Sequence, residues 1–211
     1  MRLLQRFSRG ELHLTRIEAF SDGVFAIIVT LLVLELKVPV LHEVHGVGEL
    51  ARSLGDLLPK FLSWLISFII VCKFWLNHHH IFSLASHADY GLVWLNCLFL
   101  LAQSFVPFPT ALMGEYPANP LAVSFFGGVM AVNTIMFITM HAHILRHLLK
   151  TGAAATVPAN IIGRSFLGVL FYLLGAGAAW LSVHLAFALY LVTPLFFIVP
   201  PSVERGAAPR K

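Results

Sequence analysis

A carboxylate and a guanidinium stand at the start of a long apolar stretch near the N-terminus. Asp22 lies six residues after Arg16, and the residues that follow it, 23–34, are apolar except for Thr30. An ionisable side chain within a membrane span is costly unless it is paired, so it marks a candidate functional site. The chemistry open to Asp22 is hydrogen bonding, ion binding or a proton relay.

Histidine is abundant, and six of the eleven residues form two clusters at residues 78–80 and 141–147. Such clusters are typical of metal or haem sites. On a helix, however, adjacent side chains diverge by about 100° and an i, i+2 pair by about 200°. Only His143 and His147, at i, i+4, share a face, so one helix does not supply a complete ligand set.

Motifs of enzymes are absent from the sequence. It contains no H-E-x-x-H, no G-x-S-x-G, no P-loop and no G-x-G-x-x-G. We therefore expect no catalytic activity and no cofactor.

The composition predicts an all-α, polytopic membrane protein. Of the 211 residues, 58% are hydrophobic and 11% are charged, whereas soluble domains carry about 25% charged residues. A membrane span needs about 20 apolar residues, and the chain contains six such stretches. We expect these six spans to form a single domain. They are predicted at about 17–38, 57–78, 90–113, 121–146, 163–182 and 184–200, with a break at Pro107 and Pro109 in the third and a solvated loop or short interfacial helix at 40–56.

The distribution of basic residues predicts that both termini are cytoplasmic. Cytoplasmic loops of membrane proteins are enriched in Lys and Arg, which explains the net charge of +4 without nucleic acid as a partner. Ten basic residues fall on the side of the termini and three, Lys37, Arg52 and Lys60, on the other. The ten are Arg2, Arg6, Arg9, Arg16, Arg146, Lys150, Arg164, Arg205, Arg210 and Lys211.

Polar residues of the first three spans fall at one depth of the membrane. The second span runs antiparallel to the first and ends in "WLNHHH", and the third begins at that same level. We expect a buried network there, in which Asp22 accepts hydrogen bonds from arginine, histidine or asparagine. Whether it only joins helices or takes part in gating stays open. Its predicted members are Arg16, Phe20, Ser21, Asp22, Trp75, His78, His79 and Asn96.

A second face of the first span carries an apolar stripe. Its members recur at spacings of three and four, and Ile27 lies about 140° from Asp22 around the helix. If Asp22 faces the other helices of its subunit, this stripe meets lipid, another subunit or a pore. The residues of the stripe are Phe20, Gly23, Ile27, Thr30, Leu31 and Leu34.

Three motifs in this order resemble one family of membrane proteins. The first is Arg16-x-x-x-Phe20-Ser21-Asp22 followed by "GVFAIIVTLLVLELKVP", and the second is Trp75-x-x-His78-His79-x-x-Phe82. The third, "FVPFPTALMGEY", covers residues 105–116. Together they are similar to the transmembrane protein 175 family of endolysosomal and prokaryotic potassium channels.

The resemblance implies a homotetramer of six-span subunits in the plasma membrane of a prokaryote. It implies a potassium-permeable pore around a central axis, lined by the first helix, without the TVGYG filter. By position, the apolar constriction is assigned to Ile27, Leu31 and Leu34, with Thr30 supplying hydroxyls. The network around Arg16, Phe20, Ser21 and Asp22 is assigned to coupling helix position to opening.

Two other functions are compatible with the sequence. A haem- or metal-binding membrane redox protein would use the histidine clusters. A proton-coupled transporter would use Asp22 and the histidines as a relay, although the inverted repeat expected of many transporters is not evident.

Overall fold

The computed structural model describes residues 13–42, 46–153 and 160–198. Over these residues the chain is helical apart from connecting turns and one isolated bridge between Ala85 and Leu149. The α-helices are α1 (Leu14–Leu31), α2 (Val47–Asp56), α3 (Leu58–Ser83), α4 (Tyr90–Ser104), α5 (Pro107–Glu115), α6 (Pro120–His143), α7 (Ile161–Ala178) and α8 (Val183–Ile198). The all-α prediction is confirmed.

Five stretches within the described residues are long and apolar enough to cross a membrane, and α8 supplies a shorter apolar helix. The five run over Leu14–Glu35, Leu58–Ser83, Tyr90–Glu115, Pro120–Leu148 and Ile161–Ala178. The predicted sixth stretch ends at residues 199 and 200, outside the described residues. The count of six is therefore approximate but consistent with the structure.

Helix bounds differ from the predicted ones at two places that matter for the site. The first span begins at Leu14, and its last turn, Leu32–Glu35, is a 3₁₀-helix after which the helix ends, short of residue 38. The second continues to Ser83 rather than 78. His79 therefore lies within α3 and not in a loop.

The predicted break at Pro107 and Pro109 is confirmed. Helix α4 ends at Ser104 and α5 begins at Pro107. Proline lacks the N–H that would continue the helical ladder, and its ring crowds the preceding turn. Two tighter bonds cross the gap: the Val106 N–H donates to the Gln103 carbonyl at 3.0 Å, and the Phe108 N–H donates to the Phe105 carbonyl at 3.1 Å.

Helix α6 lies at the centre of the bundle and packs against α4, α5, α7 and α8. On one side of it, aromatic rings join α3, α4 and α6. The centroids of Phe74 and Phe99 lie 5.9 Å apart, and those of Phe99 and Phe137 lie 5.7 Å apart. On the other side, Tyr190 of α8 lies against Gly127 and Gly175, where any added Cβ would clash with its ring. Small residues thus allow α6, α7 and α8 to approach closely.

Candidate functional site

Helix α1 packs against α3 and α4 through one narrow face. Three of its side chains are buried, Ser21, Phe25 and Ile28, together with Leu32 of the 3₁₀ turn that follows. Their spacings of four, three and four place them on one side of a helix of 3.6 residues per turn. This face fixes the rotation of α1 in the subunit.

The predicted apolar stripe lies on the opposite side and is exposed in the single chain. Ile27 is 59% exposed, Leu31 45% and Leu34 65%. Side chains at i and i+3 eclipse in a 3₁₀ turn, so the turn after Leu31 keeps Leu34 in line with it. Phe20, Gly23 and Thr30 are exposed on this side as well.

The hydroxyl of Thr30 is oriented by its own helix. Its Oγ1 lies 3.0 Å from the Ala26 carbonyl and 2.9 Å from the Ile27 carbonyl, and it donates its proton to them. The oxygen lone pairs remain available on the exposed side of the helix. Thr30 can therefore present an oxygen to a cation without losing its internal bond.

A buried hydrogen-bonded triad joins α1, α3 and α4. The Ser21 hydroxyl donates to the Ile17 carbonyl at 2.8 Å and accepts from Nδ2 of Asn96 at 3.0 Å. Oδ1 of Asn96 accepts a 2.8 Å bond from Nε2 of His78. All three side chains are at most 1% exposed, so each must find its partner within the protein.

The ring of His78 is held by aromatic residues as well as by Asn96. Phe82, one turn further along α3, stacks on it with centroids 4.2 Å apart, and Phe99 of α4 stacks at 6.0 Å. Sequence reasoning did not single out Phe99. Its only signal was the spacing of three from Asn96, which places both on one face of α4.

Asp22 makes a different contact from the one expected. Its Oδ1 accepts a 2.8 Å bond from the indole Nε1 of Trp75. The expectation of arginine, histidine or asparagine as donor is wrong. So is its predicted burial, because Asp22 and Trp75 are both exposed in the single chain.

The structure places the remaining predicted network residues at the edge of this group. His79 is exposed and stacks on Trp75, with centroids 6.4 Å apart. Arg16 is exposed too, and no hydrogen bond or ion pair among the described residues joins it to Asp22. Instead, Arg16 and Phe20 line a cavity of about 410 Å³ that reaches Asn96.

The second histidine cluster makes structural contacts at the end of α6. Nε2 of His143 lies 3.0 Å from both carboxylate oxygens of Asp89, and the rings of His143 and His147 lie 5.0 Å apart. Across residues 13–42, 46–153 and 160–198, no three His, Cys, Asp or Glu side chains are grouped to hold a metal ion.

Comparisons with known proteins agree with these motifs. Residues 16–107 match the family model described as "Endosomal/lysosomal potassium channel TMEM175". A relative from Chamaesiphon minutus is 40% identical over 187 residues, which are 86% of this chain and 92% of that protein. The chain belongs to the TMEM175 family.

Other TMEM175 relatives extend the match in sequence and structure. A relative from Streptomyces collinus is 36% identical and covers 92% of this chain and 97% of its own. The crystal structure titled as a lysosomal potassium-selective TMEM175 homologue from Chamaesiphon minutus superimposes with a TM-score of 0.75 at 38% identity, covering 88% of this chain and 96% of that one.

Both bacterial relatives are named potassium channels. Human TMEM175, 28% identical to 89% of this chain, is named an endosomal/lysosomal proton channel, and the match spans 36% of its length. These are channels and not enzymes. Because its helices are apolar and it belongs to this family, the chain is a multi-pass membrane protein. A haem- or metal-binding redox function is not favoured.

Proposed function

We propose that this TMEM175 member is a potassium-permeable cation channel formed by four copies of the chain. In this proposal the α1 helices of the four copies surround a central axis. Potassium ions pass between them, and lipid surrounds the outer helices. The names of the bacterial relatives support potassium as the permeant ion.

The observation that carries the proposal is the exposure of the stripe on α1. In an apolar stretch of 18 residues within the first span, only 22% of the residues are buried in the subunit, against 56% in the span that contains α6. One narrow face holds α1 to its own subunit, and Ile27, Leu31 and Leu34 point away from it. A pore-lining helix requires this arrangement, in which one face is fixed and the opposite face is free to meet an axis.

The chemistry of the stripe favours a hydrophobic gate. Rings of four isoleucine or leucine side chains, narrow enough to expel water, block ions by dewetting. Opening then requires the α1 helices to tilt or rotate apart. Thr30 would place a ring of hydroxyl oxygens between the rings of Ile27 and Leu31, where a cation sheds part of its hydration.

The contacts behind α1 suit a role in coupling its position to opening. The triad of Ser21, Asn96 and His78 anchors α1 to α3 and α4, and the bond from Trp75 to Asp22 adds an exposed link to α3. A rotation of α1 must stretch or exchange these bonds. Arg16, Phe20 and His79, at the edge of the group, complete the proposed gating network.

The orientation and location belong to the proposal too. Both termini are placed in the cytoplasm and the protein in the plasma membrane of a prokaryote. Of the basic residues behind this orientation, Arg2, Arg6, Arg9, Arg205, Arg210 and Lys211 lie outside the described residues, whereas Arg16, Arg146, Lys150 and Arg164 lie within them.

Potassium flux into liposomes that contain the purified protein tests the proposal. Ile27→Asn, which makes the constriction polar, is expected to increase the flux and reduce the preference for potassium over sodium. Leu101→Asn on α4 is the control, because it makes the same kind of change at an exposed apolar position away from the stripe. If Ile27→Asn leaves flux and selectivity unchanged, the stripe does not line the pore.

A proton measurement belongs in the same experiment, since the chicken and human relatives are named proton channels. A pH-sensitive dye inside the liposomes reports proton entry under a potassium gradient. Proton flux that responds to Ile27→Asn in parallel with potassium flux would place both ions in one pore. The oligomeric state is tested by light scattering of the detergent-solubilised protein, for which a tetramer is expected.

A further inference from the structure

Helix α2 carries two chemically different faces and buries neither. In its sequence, "VGELARSLGD", the apolar residues Val47, Leu50 and Leu54 recur at spacings of three and four, and none of its ten residues is buried. At 100° per residue these three side chains fall within a 60° arc. A helix of this kind needs a partner for its apolar face.

The opposite face of α2 is charged and turned towards the chain's own polar groups. Arg52, Asp56 and Glu49 lie between about 140° and 200° from Val47 around the helix. The carboxylate of Glu49 accepts a 2.9 Å bond from the backbone N–H of His42. With His42, this face lines an open depression of about 650 Å³, which water can fill.

The position of α2 in the chain places it at a membrane boundary. It follows the end of the first span, and only Leu57 separates it from α3, which crosses the membrane. The apolar face continues into exposed side chains of the first turn of α3, among them Leu58 and Phe61. A spanning helix exposes such side chains to acyl chains, so the continuous surface enters the same lipid.

We infer that α2 is an interfacial helix that lies in the lipid headgroup region, with Val47, Leu50 and Leu54 turned towards the acyl chains. Amphipathic helices of this kind insert about 5–10 Å into the boundary between headgroups and acyl chains. The partner is thus the lipid leaflet on the side where α1 ends, and not a soluble protein. The inference requires membrane insertion only and is independent of potassium conduction.

Fluorescent labelling of single cysteines tests this placement in the full chain. Cys72 and Cys97 are both free and are replaced by alanine. The environment-sensitive label NBD is then attached to Leu54→Cys on the apolar face or, as the matched control, to Asp56→Cys. The two positions are neighbouring but lie about 160° apart around the helix, and both are exposed.

In phosphatidylcholine liposomes, label at Leu54→Cys is expected to show blue-shifted emission, loss of intensity with brominated acyl chains and protection from iodide. Label at Asp56→Cys is expected to show the reverse. Leu50→Cys repeats the test if Leu54→Cys does not elute as folded protein. Equal iodide quenching at both positions overturns the inference. So does label at Leu54→Cys that is shielded from both iodide and brominated lipid, because a second protein surface then covers the face.

Discussion

The indole of Trp75 and the carboxylate of Asp22 join α3 to α1 through one 2.8 Å hydrogen bond. The bond lies at the end of α1 where the exposed stripe begins, but Asp22 is about 140° from Ile27 around the helix. Both of its partners are exposed in the single chain, whereas Ser21, Asn96 and His78 are buried. Because Trp75 belongs to α3, a rotation of α1 about its own axis must stretch or break this bond.

Removing the donor of that bond tests its importance. Trp75→Phe keeps an aromatic ring but loses the N–H, and Asp22→Ala removes the acceptor. Because both partners are exposed, we expect a coupling free energy of about 1 kcal/mol between them in a double-mutant cycle, measured by thermal unfolding in detergent. We also expect both variants to change potassium flux in the same direction. Additive effects in the cycle would show that the contact contributes nothing of its own.

The buried triad is expected to matter more for stability. Asn96→Leu leaves the Nε2–H of His78 without its acceptor in an apolar setting, and such a loss costs about 1–3 kcal/mol. Ser21→Ala is expected to cost less, because Asn96 keeps its bond to His78. Cys97→Ser, adjacent in sequence but exposed, is the control, and we expect a change within about 0.5 kcal/mol. If thermal unfolding shows that Asn96→Leu is no more destabilising than Cys97→Ser, the triad does not stabilise the fold as proposed.

Much of the fold follows from the length of the apolar runs and from prolines. The break at Pro107 and Pro109 follows from the missing N–H donors. The end of α1 does not, because residues 32–34 are as apolar as the turns before them and the next proline is Pro39. The change to a 3₁₀ turn at Leu32–Glu35 accompanies the packing of this segment on α3 and α5, and no local pattern reports such contacts.

The sequence predicts the depth of the candidate-site residues in the membrane but not the rotation of each helix about its own axis. Antiparallel spans placed Ser21, His78 and Asn96 at one level, and the structure brings these three together. Which side chains bond depends on how each helix is turned. Ser21 faces inward, so Asp22, 100° further round, falls at the edge. Trp75 lies at the matching edge of α3, which is why the indole, and not a histidine, is the donor.

Asp89 joins α4 and α6 at the end of the bundle where α4 begins. It caps α4 by accepting a 2.7 Å bond from the Leu92 N–H and pairs with His143 of α6. Partial burial raises the pKa of Asp89, but the bonds from Leu92 and His143 and the charges of His143 and His87 outweigh it, so the pKa lies below the ordinary 3.8. The ionised carboxylate therefore stabilises the folded state.

The lowered pKa predicts that the contribution of Asp89 to the stability of the folded state depends on pH in the acid range. The stabilisation by Asp89 is fully present above pH 3.8 and is lost as the pH falls through the lower pKa of the folded state. Asp89→Asn keeps a good cap without the charge, whereas Asp89→Ala loses the cap as well, at a cost of about 1 kcal/mol. In unfolding scans, the difference between wild type and Asp89→Asn should shrink in acid. A difference that is constant with pH would contradict the ion pair.

Thr30 separates the contribution of an oxygen from that of side-chain size in the proposed pore. Thr30→Val keeps the shape and removes the hydroxyl, whereas Thr30→Ser keeps the hydroxyl and removes a methyl group. If the Thr30 oxygen replaces part of the hydration of the ion, Thr30→Val lowers the ratio of potassium to sodium permeability in planar bilayers, and Thr30→Ser retains it. Conductance alone does not test the role of the hydroxyl, since either change alters the width of the constriction. An unchanged ratio in Thr30→Val would mean that this hydroxyl has no role in selectivity.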